Sequence, residues 1–163
     1  MNENNPKHKR PSWDDYFLEL ADAASKRATC SRGRSGCVIV RDNQVLATGY
    51  VGSPAGLPHC DDAGHLMKKV IQENGEISEH CVRTVHAEQN AICQAAKRGV
   101  SIEGATVYQR MTPCRTCAML WINCGIKKVF CERKYQLAEE SEPLLAAAGV
   151  ELEYKHNEIQ PYE

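Results

Sequence analysis

Residues 84–118 read TVHAEQNAICQAAKRGVSIEGATVYQRMTPCRTCA, and this stretch decides how the rest of the chain folds. His86-Ala87-Glu88 opens a segment in which Ala87, Ala91, Ile92, Ala95 and Ala96 recur at helical spacing until Gly99 stops it. Ala105 to Gln109 reads as a strand. Pro113-Cys114-Arg115-Thr116-Cys117 then starts a second helix, running from Cys114 to Cys124 with Gly125 as its end. Helix, strand and helix in this order let two helix N-termini converge on one point. Cys114 and Cys117 lie three positions apart at a helix start, so both sulfurs reach one ion, and His86 supplies a third ligand. Three protein ligands leave tetrahedral zinc one open position, as in catalytic sites, whereas structural sites are closed by four. Zinc brings the pKa of a bound water towards neutrality. Glu88, two residues from His86, is placed to carry protons rather than to bind metal. The helix N-termini also favour the thiolate forms of Cys114 and Cys117.

Outward from this centre the alternation continues. Lys128 to Cys131 reads as a strand, Leu137 to Ala148 as a helix stopped by Gly149, and Val150 to Tyr154 as a strand. Towards the N-terminus, Ser12 caps a helix starting near Trp13, with Trp13, Phe17, Leu20, Ala21 and Ala24 on its apolar face. Cys37-Val38-Ile39-Val40 and Val45-Leu46-Ala47-Thr48 flank Arg41-Asp42-Asn43-Gln44, a β-hairpin with a polar turn. Between Gly52 and Val82 the chain is rich in Gly, Pro, His, Cys and charge, with a short helical hint around His65 to Gln72. An irregular stretch of that length inside a compact domain is functional or is pinned by something other than a core. The pattern implies one α/β domain over residues 12–163, a three-layer α/β/α arrangement, preceded by a flexible polar tail at 1–11 that carries a solvated basic cluster, Lys7 to Arg10.

The 163 residues suit a single hydrophobic core, and 20 basic against 21 acidic residues leave no positive field for a nucleic acid. A small-molecule partner is the expectation. No apolar run reaches the length of a membrane span and the first residues lack the apolar centre of a signal peptide, so the chain reads as cytoplasmic with no membrane partner. In a reducing compartment the nine cysteines are ligands or core fillers rather than disulfides. Cys37, Cys93, Cys124 and Cys131 sit among apolar neighbours and read as core. Cys30, Cys60, His65, His80 and Cys81 remain. A second, closed zinc site needs four N or S ligands, which Cys30, Cys60 and two of the other three could supply; the alternative is buried thiols and surface imidazoles.

Four stretches carry a family resemblance: Ala28-Thr29-Cys30-Ser31-Arg32, Gly49 to Gly56 (GYVGSPAG), His80 to Glu88 (HCVRTVHAE) and Pro113 to Ala118 (PCRTCA). The H-x-E and P-C-x-x-C pair marks zinc nucleobase deaminases, and together the stretches resemble the bacterial and phage type of deoxycytidylate deaminase, within the cytidine deaminase superfamily. The resemblance spans Trp13 to about Tyr154. It implies a cytidine-deaminase-like fold with a five-stranded mixed sheet, a homohexamer, hydrolysis of dCMP to dUMP and ammonia, and regulation by dCTP and dTTP. It implies that Glu88 moves protons from water to N3 and to the departing ammonia. It also places Val51, Ala87, Arg110 and Tyr135 around the substrate, assigns the loop of Gly52, Ser53, Pro54 and Gly56 to nucleotide or effector, and supports a structural zinc at Cys30 and Cys60.

Three positions depart from the family pattern. Val51 stands where an asparagine usually contacts the sugar hydroxyl, Gln109 and Arg110 stand where Val-Thr is usual, and Ser35-Gly36-Cys37 replaces V-G-A. Valine can neither donate nor accept that hydrogen bond. A different or modified cytosine nucleotide is therefore the first alternative substrate. A tRNA adenosine deaminase shares the zinc motifs but needs a basic surface. A non-catalytic nucleotide sensor would not need the intact set of His86, Glu88, Cys114 and Cys117.

Overall fold

A computed structural model describes residues 8–71 and 75–160. Helix α1 (Trp13–Ser25) leads into strands β1 (Gly36–Arg41) and β2 (Gln44–Tyr50). A short helix α2 (Cys60–Ala63), strands β3 (Met67–Ile71) and β4 (Ile77–Cys81), and helix α3 (Ala87–Arg98) follow. The chain then runs through β5 (Thr106–Met111), α4 (Arg115–Asn123), β6 (Lys128–Tyr135), α5 (Glu142–Ala147), β7 (Glu151–Tyr154) and β8 (Ile159–Gln160). The main sheet has the order β2-β1-β5-β6-β7. β1 is antiparallel to β2 and β5, whereas β5, β6 and β7 are parallel. This is the expected mixed sheet, with β8 added beside the far end of β6 as a sixth strand.

The central strands alternate between two cores. Cys37, Ile39, Val107, Val129 and Cys131 face Ala91 and Ala95 of α3, Ala118 and Trp121 of α4 and Leu145 of α5. Val38, Val40, Tyr108 and Phe130 face Phe17, Leu18 and Ala21 of α1. Strands buried on both faces read as continuous apolar runs, and helices cover each side, which makes the fold three-layered. Ser12 caps α1 by accepting from the Asp15 amide at 3.1 Å. The β1–β2 turn places Asp42 and Asn43 at φ 53° and 59°, the left-handed pair of a two-residue hairpin.

Two glycines let helices touch the sheet. A Cβ on Gly36 would lie 2.1 Å from the Ala21 carbonyl oxygen of α1, and one on Gly49 would lie 2.1 Å from the Ala87 carbonyl oxygen of α3. Only glycine allows such backbone contact. At Gly49 it seats the N-terminal turn of α3 on the end of β2, and Asn90 adds a hydrogen bond to the Tyr50 carbonyl at 2.8 Å.

Several expectations are corrected. The helical hint at 65–72 is instead the β3–β4 hairpin, in which Met67 pairs with Cys81 and Ile71 with Ile77; Gln72 lies outside the described residues. Val70, Ile71 and Ile77 are β-formers with no core beneath them, so backbone pairing decides the segment. The helix expected over 137–148 breaks into a 3-10 turn (Ala138–Glu140) and α5. Pro143 has no N–H to continue a helix from the preceding turn, so a new one starts there. Trp13 is exposed and Leu18 is buried, a rotation of the α1 face, and Cys93 lies on the outer side of α3 rather than in the core. Of the N-terminal tail, residues 8–11 are exposed and without secondary structure, and 1–7 lie outside the described residues. Among the described residues no helix is long and apolar enough to cross a membrane.

Candidate active site

Two helix starts form the centre. His86 is the N-cap of α3 and Cys114 the N-cap of α4, with Cys117 in the first turn of α4. Gln89 holds the His86 amide at 3.2 Å, and the Ala118 amide donates to the Cys114 carbonyl at 2.9 Å. His86 Nδ1 lies 3.6 Å from Cys114 Sγ and 3.5 Å from Cys117 Sγ, and one donor atom from each of the three residues falls within 4.8 Å of the others. One imidazole nitrogen and two sulfurs are the donor set of a zinc centre with one position left open. Cys117 is buried while His86 is accessible, so this centre has a closed back and an open front.

The three side chains share protons with one another, and the hydrogen bond to Cys114 together with burial pushes the Cys117 thiol up. A hydrogen bond from Cys117 holds the Cys114 thiol down at about 4, against burial, with His86 adding to the effect. The hydrogen bond to Cys114 raises His86 to about 9, again against burial. Burial pushes the Glu88 carboxyl up; nearby His86 opposes this and Cys114 adds to it. Glu88 faces the same pocket as His86 and Cys114, where a carboxyl with a raised pKa suits proton transfer.

That pocket is also walled by Val51, Met111, Thr112 and Tyr135. Val51 is buried, its backbone held by the Ser35 carbonyl and the Thr29 amide, each at 3.0 Å. The other residues expected around the substrate lie elsewhere. Arg110 is on the α1 side of β5, with its Nε 4.0 Å from the Glu132 carboxylate. The two-residue period of a strand explains the displacement: Gln109 and Met111 point to the catalytic face, and Arg110 to the other. Ala87 is buried under Gly49 and its side chain does not line the pocket. The loop at 52–56 also lies off the pocket: Gly52 bridges Val85, Pro54 closes a turn with Leu57, and Gly56 takes φ 83°. It braces the residue just before His86. Ser53 Oγ is buried there without a hydrogen-bond partner among the described residues.

The remaining thiols and imidazoles separate cleanly. Cys30, Cys60, His65 and Cys81 bring one ligand atom each to within 4.8 Å of one another. Cys30 Sγ is 3.6 Å from His65 Nδ1 and Cys60 Sγ is 3.5 Å from Cys81 Sγ. Burial and the neighbouring sulfurs push Cys60 up to about 12. Burial also pushes on Cys81, but the backbone hydrogen bonds of Arg83 and Leu66 prevail and bring it to about 7. His80 stands outside the group, with Nε2 bonded to Ser78 Oγ at 2.7 Å. Strand alternation again accounts for it, since His80 and Cys81 are neighbours on β4 and point to opposite sides. Thr112 escaped the sequence reading; its one signal was its place directly before Pro113-Cys114.

Comparison with known proteins agrees with this geometry. Residues 11–133 match the family model for the cytidine and deoxycytidylate deaminase zinc-binding region. The chain is 40% identical over 148 residues to the deoxycytidylate deaminase of Schizosaccharomyces pombe, covering 91% of this chain but only 45% of that protein. It is 41% identical over 144 residues to ComE operon protein 2 of Bacillus subtilis, covering 88% of this chain and 71% of that one. The crystal structure of the dCMP deaminase of cyanophage S-TIM5, in complex with dCMP and dUMP, superposes with a TM-score of 0.71 at 28% identity, covering 90% of this chain and 99% of that one. With that region matched over most of its length, the chain belongs to the cytidine and deoxycytidylate deaminase family.

Proposed function

We propose that this chain is a hydrolase that removes the 4-amino group of dCMP, giving dUMP and ammonia. The observation that carries the reading is the meeting of His86, Cys114 and Glu88 on one pocket, with Cys117 grouped behind the first two. Its similarity to deoxycytidylate deaminases, and to a structure holding dCMP and dUMP, supports the nucleotide. Zinc held by His86, Cys114 and Cys117 would supply a Lewis acid that makes water a nucleophile at neutral pH. Glu88 takes a proton from the attacking water and delivers it to N3 of the ring. The water oxygen joins C4, the C4–N bond breaks, and Glu88 passes the second proton of the water to the leaving nitrogen, so that water and dCMP balance dUMP and ammonia. Tyr135 and Val51 wall the base and sugar.

The second group fits a structural zinc held by Cys30, Cys60, His65 and Cys81, since four N and S donors close a tetrahedron. The family resemblance extends the reading to a homohexamer regulated by dCTP and dTTP, with the 52–56 loop acting on His86 through Val85. The nine free thiols suit a reducing compartment such as the cytoplasm. The test is ammonia release from zinc-replete protein with dCMP, CMP, dCTP, deoxycytidine, 5-substituted dCMP and tRNA adenosine. We expect dCMP to be turned over best. Negligible dCMP turnover beside turnover of another compound in the set moves the assignment to that compound. Chromatographic size with and without dCTP and dTTP tests assembly and regulation.

A further inference from the structure

A chain of hydrogen bonds runs from α5 into the pocket wall. Tyr154 Oη lies 2.8 Å from Glu142 Oε1, Thr112 Oγ1 lies 3.0 Å from Tyr154 Oη, and the Tyr135 amide lies 3.0 Å from Thr112 Oγ1. Lys134 Nζ sits 2.8 Å from the same Glu142 oxygen. Lysine 134 and Tyr154 together hold the Glu142 carboxyl below its ordinary range against the effect of burial, so Glu142 is an acceptor. Proton counting then sets every direction. The single phenol proton of Tyr154 goes to Glu142, so its oxygen can only accept from Thr112. The Thr112 hydroxyl therefore donates to Tyr154 and accepts from the Tyr135 amide, and both of its roles are filled.

The local fold explains why a hydroxyl is needed. The last pair between β5 and β6 is Met111 with Arg133, and Pro113 then turns the chain away towards Cys114. Two residues beyond that pair the Tyr135 amide is buried at a point where β5 has left the sheet, and Thr112 Oγ1 stands in for the missing strand. Thr112 and Tyr135 both line the pocket, at 4% and 9% exposure. From the proposed deamination and this geometry, we infer that Thr112 is a positioning residue: its hydroxyl fixes Tyr135 against the loop that carries Cys114 and so sets the width of the nucleotide pocket. Tyr154 and Glu142 act through it.

Wall contacts are made in ground and transition states alike, so their loss raises KM and leaves kcat in place. For Thr112→Val, which matches threonine in shape, we expect KM for dCMP to rise about fivefold, the scale of one hydrogen bond, with zinc content unchanged. Hydrogen exchange at the Tyr135 amide should speed up in the same protein. Thr112→Ser should restore both, and Tyr154→Phe should move both in the same direction by less. Tyr108→Phe is the control: it removes another buried phenol bond, to Asp14 at 2.8 Å on the α1 face, and should lower stability without touching KM or Tyr135 exchange. If Thr112→Val fails to fold, Tyr154→Phe carries the test. Unchanged Tyr135 exchange in the variants, or failure of serine to rescue, overturns the inference whatever the activity. Absence of dCMP turnover in the wild type overturns the proposed substrate instead, and the exchange measurement still decides whether Thr112 holds Tyr135.

Discussion

The two Cys–His groups are built from the same chemistry and differ in what holds them. His86, Cys114 and Cys117 sit at the caps and first turn of two helices packed on the main sheet. Cys30, Cys60, His65 and Cys81 come from a loop, a four-residue helix, a turn and an edge of a two-stranded sheet with little core beneath it. The first brings three donor atoms together and the second four. On the proposed reading the helices would place the first group before any ion arrives, whereas the second would lean on its ion for order. The contrast has a contact point: Cys30 and Cys81 also line the pocket that holds Glu88.

The largest effect should come from His86→Ala. We expect one zinc equivalent per chain to disappear, with deaminase activity falling to background while the fold persists, as read by elemental analysis and circular dichroism. A protein that unfolded on this change would show that the first group, like the second, holds its own surroundings together. Glu88→Gln separates the proton carrier from the metal: both equivalents should remain and kcat should drop at least ~10²-fold, the ordinary contribution of a positioned acid-base group. Retained activity would remove Glu88 from the mechanism.

Cys60→Ser should do the opposite of His86→Ala. The second zinc equivalent is lost, stability falls on the order of 3 kcal/mol as a bound ligand at a hundredfold excess over its Kd would contribute, and the pocket wall loosens. Unchanged zinc content and denaturation midpoint would mean that the four residues are only packed thiols and an imidazole. His65→Ala and His80→Ala sharpen this: the first should release one zinc equivalent and the second none, a difference that metal analysis reads directly. The smallest effect is at Val51. Asparagine there supplies an amide towards the sugar, and a gain of about fivefold in kcat/KM on dCMP is the scale of one hydrogen bond. A loss would show that Val51 belongs to a pocket reshaped for another nucleotide.

The contrast also explains what could be read from the sequence. The grouping of His86 with Cys114 and Cys117 was legible because helical periodicity, a Gly stop and a Pro-Cys start mark two helix starts and the H-x-E and P-C-x-x-C motifs join them, and the apolar runs of β1 and β6 marked the sheet. The region from 52 to 82 obeys no such rule. His65 and His80 are equivalent as letters, and only the β3–β4 pairing, a long-range choice, turns Cys81 inward and leaves His80 to Ser78. Arg110 was set near the substrate by its place in the family pattern, without the parity of the strand, which turns it to the Tyr108 side. The relay through Thr112 joins residues 42 positions apart, and no local pattern announces it.

Gly49 has one more consequence. The first turn of α3 is seated on bare main chain, so the height of His86 above the sheet is indexed by atoms that every residue type shares. Side chains in the core can swap rotamers, or drift by substitution, without shifting that datum. At position 49 the addition of a single methyl group should therefore lift the helix and disturb the grouping of His86 with Cys114 and Cys117, although none of the three has been touched.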